Sequence, residues 1–364
     1  MIILKKVKQE NNMKEVFKIG KFEIKEKGRV FIIAEAGVNH NGRLDLALKL
    51  VDMAADIGAD AVKFQTFQAE QVVTEEGKMA SYQEKNLRKK ESQREMLKKL
   101  ELPVSFYPLI IKRCKEKGLI FFSTPQGGKK SVDLLEKLKV IVYKIDSGNL
   151  TNYILLDKVA KTKKPIIVST GMANLKEVIN AINFIKSRGN TKIIVLHCTT
   201  NYPAEAEEID LAAMITLMKK LDVPVGYSDH SEGNQVAIMS ATLGMAVYEF
   251  HITLDKKLPG PDHIASCDFA EAKKRIDSIR MARIILGDSR KQIRSIEKQY
   301  VKIVRRSLVY IRKLSKGQKI TFSDIDGKRP GNGISTINFE KYIGKTLKKN
   351  ILADQQLKES DFFK

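Results

Sequence analysis

From Val30 onward the chain alternates short apolar runs with longer amphipathic stretches. The runs lie in VFIIAEA (30–36), ADAVKFQTF (59–67), LIFFSTP (119–125), VIVYKIDSG (140–148), PIIVSTG (165–171), KIIVLHCTT (192–200), PVGYSD (224–229) and AVYEFHITLD (246–255). Each is short and lacks regular polar alternation, the mark of a strand covered on both faces. Between them lie segments of helical period, such as LDLALKLVDMAADIGA, NLKEVINAINFIKSRG and DLAAMITLMKKL. Eight strand–helix units over roughly 250 residues predict a closed (β/α)8 TIM barrel, an α/β fold with a parallel sheet. A doubly wound open sheet is the competing architecture, but no GxGxxG turn follows any of the strands. The charged stretch 82–117 predicts one or two surface helices, and residues 268–300 a helical segment that closes the barrel.

The pattern changes at about Arg305, where short β-like pieces, turns and a Pro-Gly-Asn-Gly loop replace the strand–helix repeat. The expected organisation is a polar leader at 1–29, a barrel at 30–285, a linker at 286–304 and a small domain at 305–364. About sixty residues make a marginal core, so this last domain is expected to dock on another surface.

The strand ends carry the chemistry. In chain order they offer Glu35, Lys63 with Gln65, Ser123, Lys144 with Ser147, Ser169 with Thr170, His197 with Thr199, Ser228 with His230, and His251. In a barrel these positions meet on one face, where barrel active sites lie. Two lysines, a glutamate, several hydroxyls and two histidines suit an anionic substrate and a metal ion. The stretch from Pro224 to Asp262 is central, because two adjacent strands bring His230 and His251 to the same edge. A plainer reading remains for some positions: His197 and Cys198 as packing residues, Ser123 as a helix cap, and His40 and His263 as polar loop surface.

Composition narrows the function classes. The 364-residue chain is 43% hydrophobic with a net charge of +22. Residues 301–364 hold 15 Lys/Arg against 6 Asp/Glu, and residues 1–30 hold 9 against 4, so the excess sits at the ends. No nucleic-acid recognition motif accompanies it, and solvated basic faces that attract an anionic substrate are the expected reading. No apolar run reaches 18 residues, so neither a membrane span nor a membrane partner is expected. The opening MIILKKVKQE has too short an apolar core for a signal peptide. Three cysteines without CxxC spacing point to a reducing cytoplasm.

AEAGVNHNG, AVKFQTF, YKIDSG, STGM, HCTTNYP, GYSDH, FHITLD, PGPD and KRPGNG occur in that order. Together they resemble the sialic acid synthase family, over roughly residues 30–362. The resemblance implies a barrel followed by an antifreeze-like (SAF, β-clip) domain and condensation of phosphoenolpyruvate with an N-acyl hexosamine. It implies Glu35 as the catalytic acid/base, and His230 and His251 as ligands of a divalent ion, usually Mn2+. Lys63, Lys144, Ser147, Ser169 and Ser228 match positions that hold phosphoenolpyruvate, and Gln65, Tyr202 and Asp262 match positions along the sugar site. Arg329 resembles an arginine that the SAF domain delivers to the sugar's N-acyl group, in the family from the partner chain of a domain-swapped homodimer.

Two positions depart from the family pattern, Asn149 after the Ser-Gly of the fourth strand loop and Thr200 after HCT. The expected acceptor is of the N-acetylmannosamine type, giving a nine-carbon sialic acid. The HCTTNYP form resembles legionaminate-type synthases, which makes a 2,4-diacetamido-6-deoxy hexose the alternative, with a pseudaminate synthase beside it. A carbohydrate- or ice-binding scaffold has no use for Glu35 beside two lysines and two histidines. A basic nucleic-acid binder would show salt-sensitive retention without turnover.

Overall fold

The structure is a computed structural model and describes residues 16–79, 83–84 and 92–363. The chain forms two compact units, one ending at Gly287 and the other running from Asp288. In the first, β3 (Phe31–Gly37), β4 (Ala61–Gln65), β5 (Ile120–Thr124), β6 (Tyr143–Ile145), β7 (Ile166–Ser169), β8 (Ile193–Cys198), β9 (Val225–Asp229) and β10 (Val247–His251) close into a parallel barrel. Seven fall within the apolar runs and β3 overruns its own by one residue, Gly37; β10 pairs with both β9 and β3 to close the ring.

Side chains alternate across each strand. Ile32, Ala34, Val62, Tyr143, Val168, Tyr227 and Tyr248 face outward into the core shared with the helices. Phe31, Ile33, Ala61, Phe122, Val142, Ile167, Ile194, Leu196 and Val247 face inward and fill the lower barrel. Helix Leu44–Asp56 presents Ala47, Leu50, Val51 and Ala54 to the outer core at helical spacing, which is why the sequence between strands reads as amphipathic.

The segment read as a leader holds more structure than expected. β1 (Phe17–Ile19) and β2 (Phe22–Ile24) form an antiparallel hairpin. Gly20, at φ +57, opens its two-residue turn in the left-handed region that glycine adopts without steric cost. Phe17, Ile19 and Ile24 are buried in the same cluster as Phe31, Ala61, Val142 and Val247, which lie at or next to strand starts, so the hairpin closes the N-terminal mouth of the barrel. Residues 1–15, including the opening MIILKKVKQE, lie outside the described residues, as do 82 and 85–91 of the charged stretch. The rest of that stretch contains helices Gln93–Lys99 and Tyr107–Glu116. Helix Phe269–Leu286 ends the first unit. Among the described residues no helix is long and apolar enough to cross a membrane.

In the second unit, helix Ser295–Val304 lies inside the segment read as a linker. β11 (Ser307–Tyr310) and β12 (Ile325–Lys328) then pair antiparallel around a core of Leu308, Tyr310, Ile320, Leu347 and Phe362. Its buried carboxylates are paired, Asp324 with Arg312 at 2.6 Å and Asp361 with Lys349 at 2.7 Å.

Candidate active site at the C-terminal mouth

The inward-facing positions change character along each strand. Above Phe31 and Ile33 comes Glu35; above Ala61, Lys63 and Gln65; above Val142, Lys144; above Ile167, Ser169; above Val247, Glu249 and His251. These polar ends line one cavity of about 350 Å³ at the C-terminal mouth. Ser147, Tyr202, Ser228, His230 and Asp262 line it as well. Of the site residues that the resemblance implies, all those in the first unit line this cavity, whereas the strand-end candidates Ser123, Thr170, His197 and Thr199 do not; the remaining one is Arg329. That residue is exposed in the second unit, in the loop that follows β12.

The floor is a buried charge network. Glu35, Lys63, Lys144 and Glu249 are each less than 5% exposed. Lys63 Nζ lies 3.0 Å from Glu35 Oε2 and 3.4 Å from Glu249 Oε1, and Lys144 Nζ lies 3.3 Å from Glu249 Oε1. Lys144 also donates to Ser169 Oγ at 2.6 Å, and Ser228 Oγ donates to Glu249 at 3.3 Å. Buried charges persist only when paired, so the two lysines and two carboxylates hold one another in place. Burial pushes the Glu35 carboxyl up to about 7, against the pull of Lys63 and with the help of the Glu249 anion. Burial also opposes the charge on Glu249, but Lys144 and Lys63 win and hold it at about 2. Two carboxylates on one floor thus stand far apart in proton affinity, the condition for an acid/base group beside a fixed anion.

Gly37, at φ +53, follows a register shift after Glu35. A Cβ there would meet both Glu35 Oε1 and the His251 ring at 3.5 Å, so the bulge brings the backbone close to these two groups. Gln65 Nε2 reaches Glu35 Oε1 at 3.3 Å.

The two histidines face each other with ring centroids 5.6 Å apart. The ring of Tyr202 lies over His230 at 4.0 Å and edge-on to His251 at 5.6 Å. His230 Nδ1 donates to the Thr199 carbonyl at 2.8 Å, which leaves Nε2 as the nitrogen that could ligate. His251 is kept neutral by burial and by the cations around it, and its Nδ1 is buried without a hydrogen-bond partner. Burial opposes charge on His230, but Cys198 and the Thr199 carbonyl raise its proton affinity, so of the two rings only His251 is held neutral. The two imidazoles, one anchored through its second nitrogen, are a candidate pair for a divalent ion. Among the described residues no group of three or more His, Cys, Asp or Glu is placed to hold a metal.

Several readings change. Ser123 caps no helix; its Oγ donates to the Phe64 carbonyl at 2.7 Å and bonds Thr66. His40 and His263 are buried rather than polar surface; His263 bonds Thr253 Oγ1 at 2.7 Å within the loop after β10, and its Nε2 meets Asn41 Oδ1 at 3.3 Å, tying that loop to the one after β3. Cys198 lines the cavity, whereas His197 bonds the carbonyls of Ile209 and Asp210 outside it. Glu249 escaped the sequence reading although VYEFH carries a signal for it. Counting back two residues from His251 lands on the inward face. Asn149 donates to Asp146 at 2.7 Å and does not line the cavity, while Thr200 does.

Residues 50–291 match the NeuB family and residues 305–362 match the SAF domain. The chain belongs to the NeuB family. It is 43% identical over 333 residues to the N,N'-diacetyllegionaminic acid synthase of Campylobacter jejuni, covering 91% of this chain and 99% of that one. It is also 43% identical over 331 residues to the synthase of the same name from Legionella pneumophila, covering 90% and 93%. The crystal structure of the N-acetylneuraminic acid synthetase of Leptospira borgpetersenii, in complex with citrate, superposes with a TM-score of 0.71 at 31% identity. That match covers 79% of this chain and 95% of the other. As a NeuB-family synthase the protein is a transferase that condenses phosphoenolpyruvate with an amino sugar, and its second unit contains the SAF domain.

Proposed function

We propose that this NeuB-family synthase joins phosphoenolpyruvate to a 2,4-diacetamido-6-deoxy hexose, giving a legionaminate-type nine-carbon acid and phosphate. The acceptor reading is carried by the 43% identity, over about nine-tenths of the chain, to two legionaminate synthases. It moves the acceptor away from the N-acetylmannosamine expected first and towards the alternative that HCTTNYP suggested.

Lys63, Lys144, Ser147, Ser169 and Ser228 would take the phosphate and carboxylate of phosphoenolpyruvate. Two anionic groups in one buried pocket need converging cations and hydroxyl donors, which the floor supplies. Gln65, Tyr202 and Asp262 border the remaining space and would orient the acceptor in its open-chain form. C3 of phosphoenolpyruvate attacks the aldehyde carbon, water adds at C2, and the tetrahedral intermediate releases phosphate by C–O cleavage. Glu35 manages the water proton, a task suited to a carboxyl that titrates near neutrality. His230 and His251 would hold a divalent ion, Mn2+ by family resemblance, which when bound offsets negative charge on the aldehyde oxygen. Arg329 of a second chain in a domain-swapped homodimer would complete the pocket at the N-acyl group. Free, buried Cys114, Cys198 and Cys267 suit a reducing compartment, and we assign the enzyme to the cytoplasm.

Phosphate release and product mass, measured with phosphoenolpyruvate and a panel of N-acyl hexosamines, test the assignment. The expected result is fastest turnover of the 2,4-diacetamido-6-deoxy acceptor. Turnover of N-acetylmannosamine alone would refute it.

A further inference from the structure

The cavity is chemically lopsided above its floor. Val38, Val72, Met96, Leu97 and Leu100 line one side, with Gln93 their polar neighbour. Val38, Met96, Leu97 and Leu100 are buried and form a small core of their own, against which Val72 packs. This wall is built rather than draped. Helix Gln93–Lys99 begins with a capping box between Ser92 and Glu95, and Arg94 pairs with Glu75 at 3.0 Å. The amide of Ala69 donates to Glu101 Oε1 at 2.8 Å, which ties the end of this segment to helix Ala69–Val72. The stretch read from the sequence as surface helices therefore supplies a wall of the candidate active site.

The charge of the lining is equally one-sided. Among the described lining residues the only lysines are Lys63 and Lys144, and no arginine joins them. Both lysines sit on the floor, where phosphoenolpyruvate brings two anionic groups of its own. The aldehyde carbon must come within bonding distance of phosphoenolpyruvate, so the far end of the acceptor rises from the floor towards the loop-level lining. A phosphate against five apolar side chains would be desolvated, and a hydroxyl there would exchange water for apolar contacts, the other lining residues of the segment being the amides Gln83 and Gln93. A methyl group would lose nothing.

We infer that the wall formed by Val38, Val72, Met96, Leu97 and Leu100 is the specificity surface for C6 of the acceptor. It selects a deoxygenated C6 methyl over a hydroxymethyl and rejects a 6-phosphate. The inference rests on the acceptor class proposed above.

The test uses three acceptors that share the 2,4-diacetamido scaffold and carry CH3, CH2OH or CH2OPO3 at C6. Wild-type kcat/KM is expected to favour methyl over hydroxymethyl by about 10²-fold, near the limit for an apolar pocket facing an added hydroxyl, with the phosphate poorer still. Val72→Thr places a hydroxyl in the wall at a half-buried position, and Met96→Gln places an amide deeper in it. Each is expected to shrink the methyl-to-hydroxymethyl ratio about tenfold. Because Met96 is buried and its variant could fail to fold, Val72→Thr keeps the test decisive. An unchanged ratio in folded Val72→Thr overturns the wall, as does a wild type that prefers the hydroxymethyl or phosphate compound. A wild type that turns over N-acetylmannosamine and none of the diacetamido series overturns the acceptor class instead.

Discussion

The lower and upper halves of the barrel interior come from the same strands in the same register, yet they do opposite work. Below, Phe31, Ala61, Val142, Ile167 and Val247 pack together, and the β1–β2 hairpin covers the mouth they would otherwise leave open. Two to four residues further along the same strands stand Glu35, Lys63, Lys144, Ser169, Glu249 and His251. Burying apolar area holds the ring closed, and that closed ring keeps four ionisable groups, each 3.0–3.4 Å from an opposite partner, away from bulk water. The difference shows where tolerance to change lies. A substitution below should cost stability and spare chemistry, whereas one above should cost chemistry and spare the fold.

The largest effect belongs to the upper layer. Glu35→Gln keeps the shape of the side chain and removes its proton chemistry, and kcat is expected to fall by about 10²–10⁴-fold. The pH dependence should change with it. Burial holds the folded carboxyl at about 7, above its ordinary 4.5, so the folded state binds this proton more tightly than the unfolded state. That stabilisation is complete below 4.5 and is lost as pH rises through about 7. Glu35→Gln should therefore remove an ionisation near 7 from the rate profile and flatten the same window of the stability curve. A wild-type profile without that ionisation would contradict the assignment.

Losing the proposed metal ion should have the next largest effect. A Lewis acid is worth several kcal/mol, so His230→Ala or His251→Ala should lower turnover by about 10²–10³-fold while the protein stays folded. Mn2+ retained after dialysis, read by elemental analysis, should fall in both variants. Full activity of wild-type enzyme after exhaustive chelation would defeat the metal assignment.

Arg329 lies outside the barrel, in the second unit. Losing a hydrogen bond from a charged donor costs about 1.5–3 kcal/mol, roughly ten- to two-hundredfold in rate. Equal amounts of Glu35→Ala and Arg329→Ala chains, unfolded and refolded together, decide which chain supplies the group. If Arg329 acts on the partner's barrel, random pairing restores about a quarter of all sites. No recovery in demonstrably mixed dimers would rule the exchange out.

The smallest effect on rate is expected below. Ile24→Ala empties part of the hairpin plug and should cost about 2–5 kcal/mol, read as a lower urea midpoint, with kcat unchanged in the folded protein. Ile24→Val serves as the milder variant. A drop in kcat without a drop in stability would break the division between the two halves.

What the sequence made legible follows the same division. The eight strands stood out because both their faces are buried, so apolar residues run continuously and a polar strand end is conspicuous. Lys63 and Lys144 are visible for that reason. Glu249 was not, because it sits inside VYEFH between two outward aromatics and ahead of a more conspicuous histidine. The hairpin hid in FKIGKFEI, where lysine and glutamate dilute an apolar alternation around Gly20. His40 and His263 sit in polar loops, and only the packing of those loops against each other buries them. The wall at Met96 and Leu97 was obscured by the charged residues of its own segment, since short amphipathic pieces show their apolar face only once a partner is known.

We assign the upper layer as an anion site built from two strand-borne lysines. Calorimetric titration of phosphoenolpyruvate into wild-type, Lys63→Met, Lys144→Met and Ile24→Val proteins tests it most directly. One site per chain is expected in the wild type and in Ile24→Val, with affinity at least tenfold weaker in either lysine variant. Wild-type affinity in both folded lysine variants would contradict it.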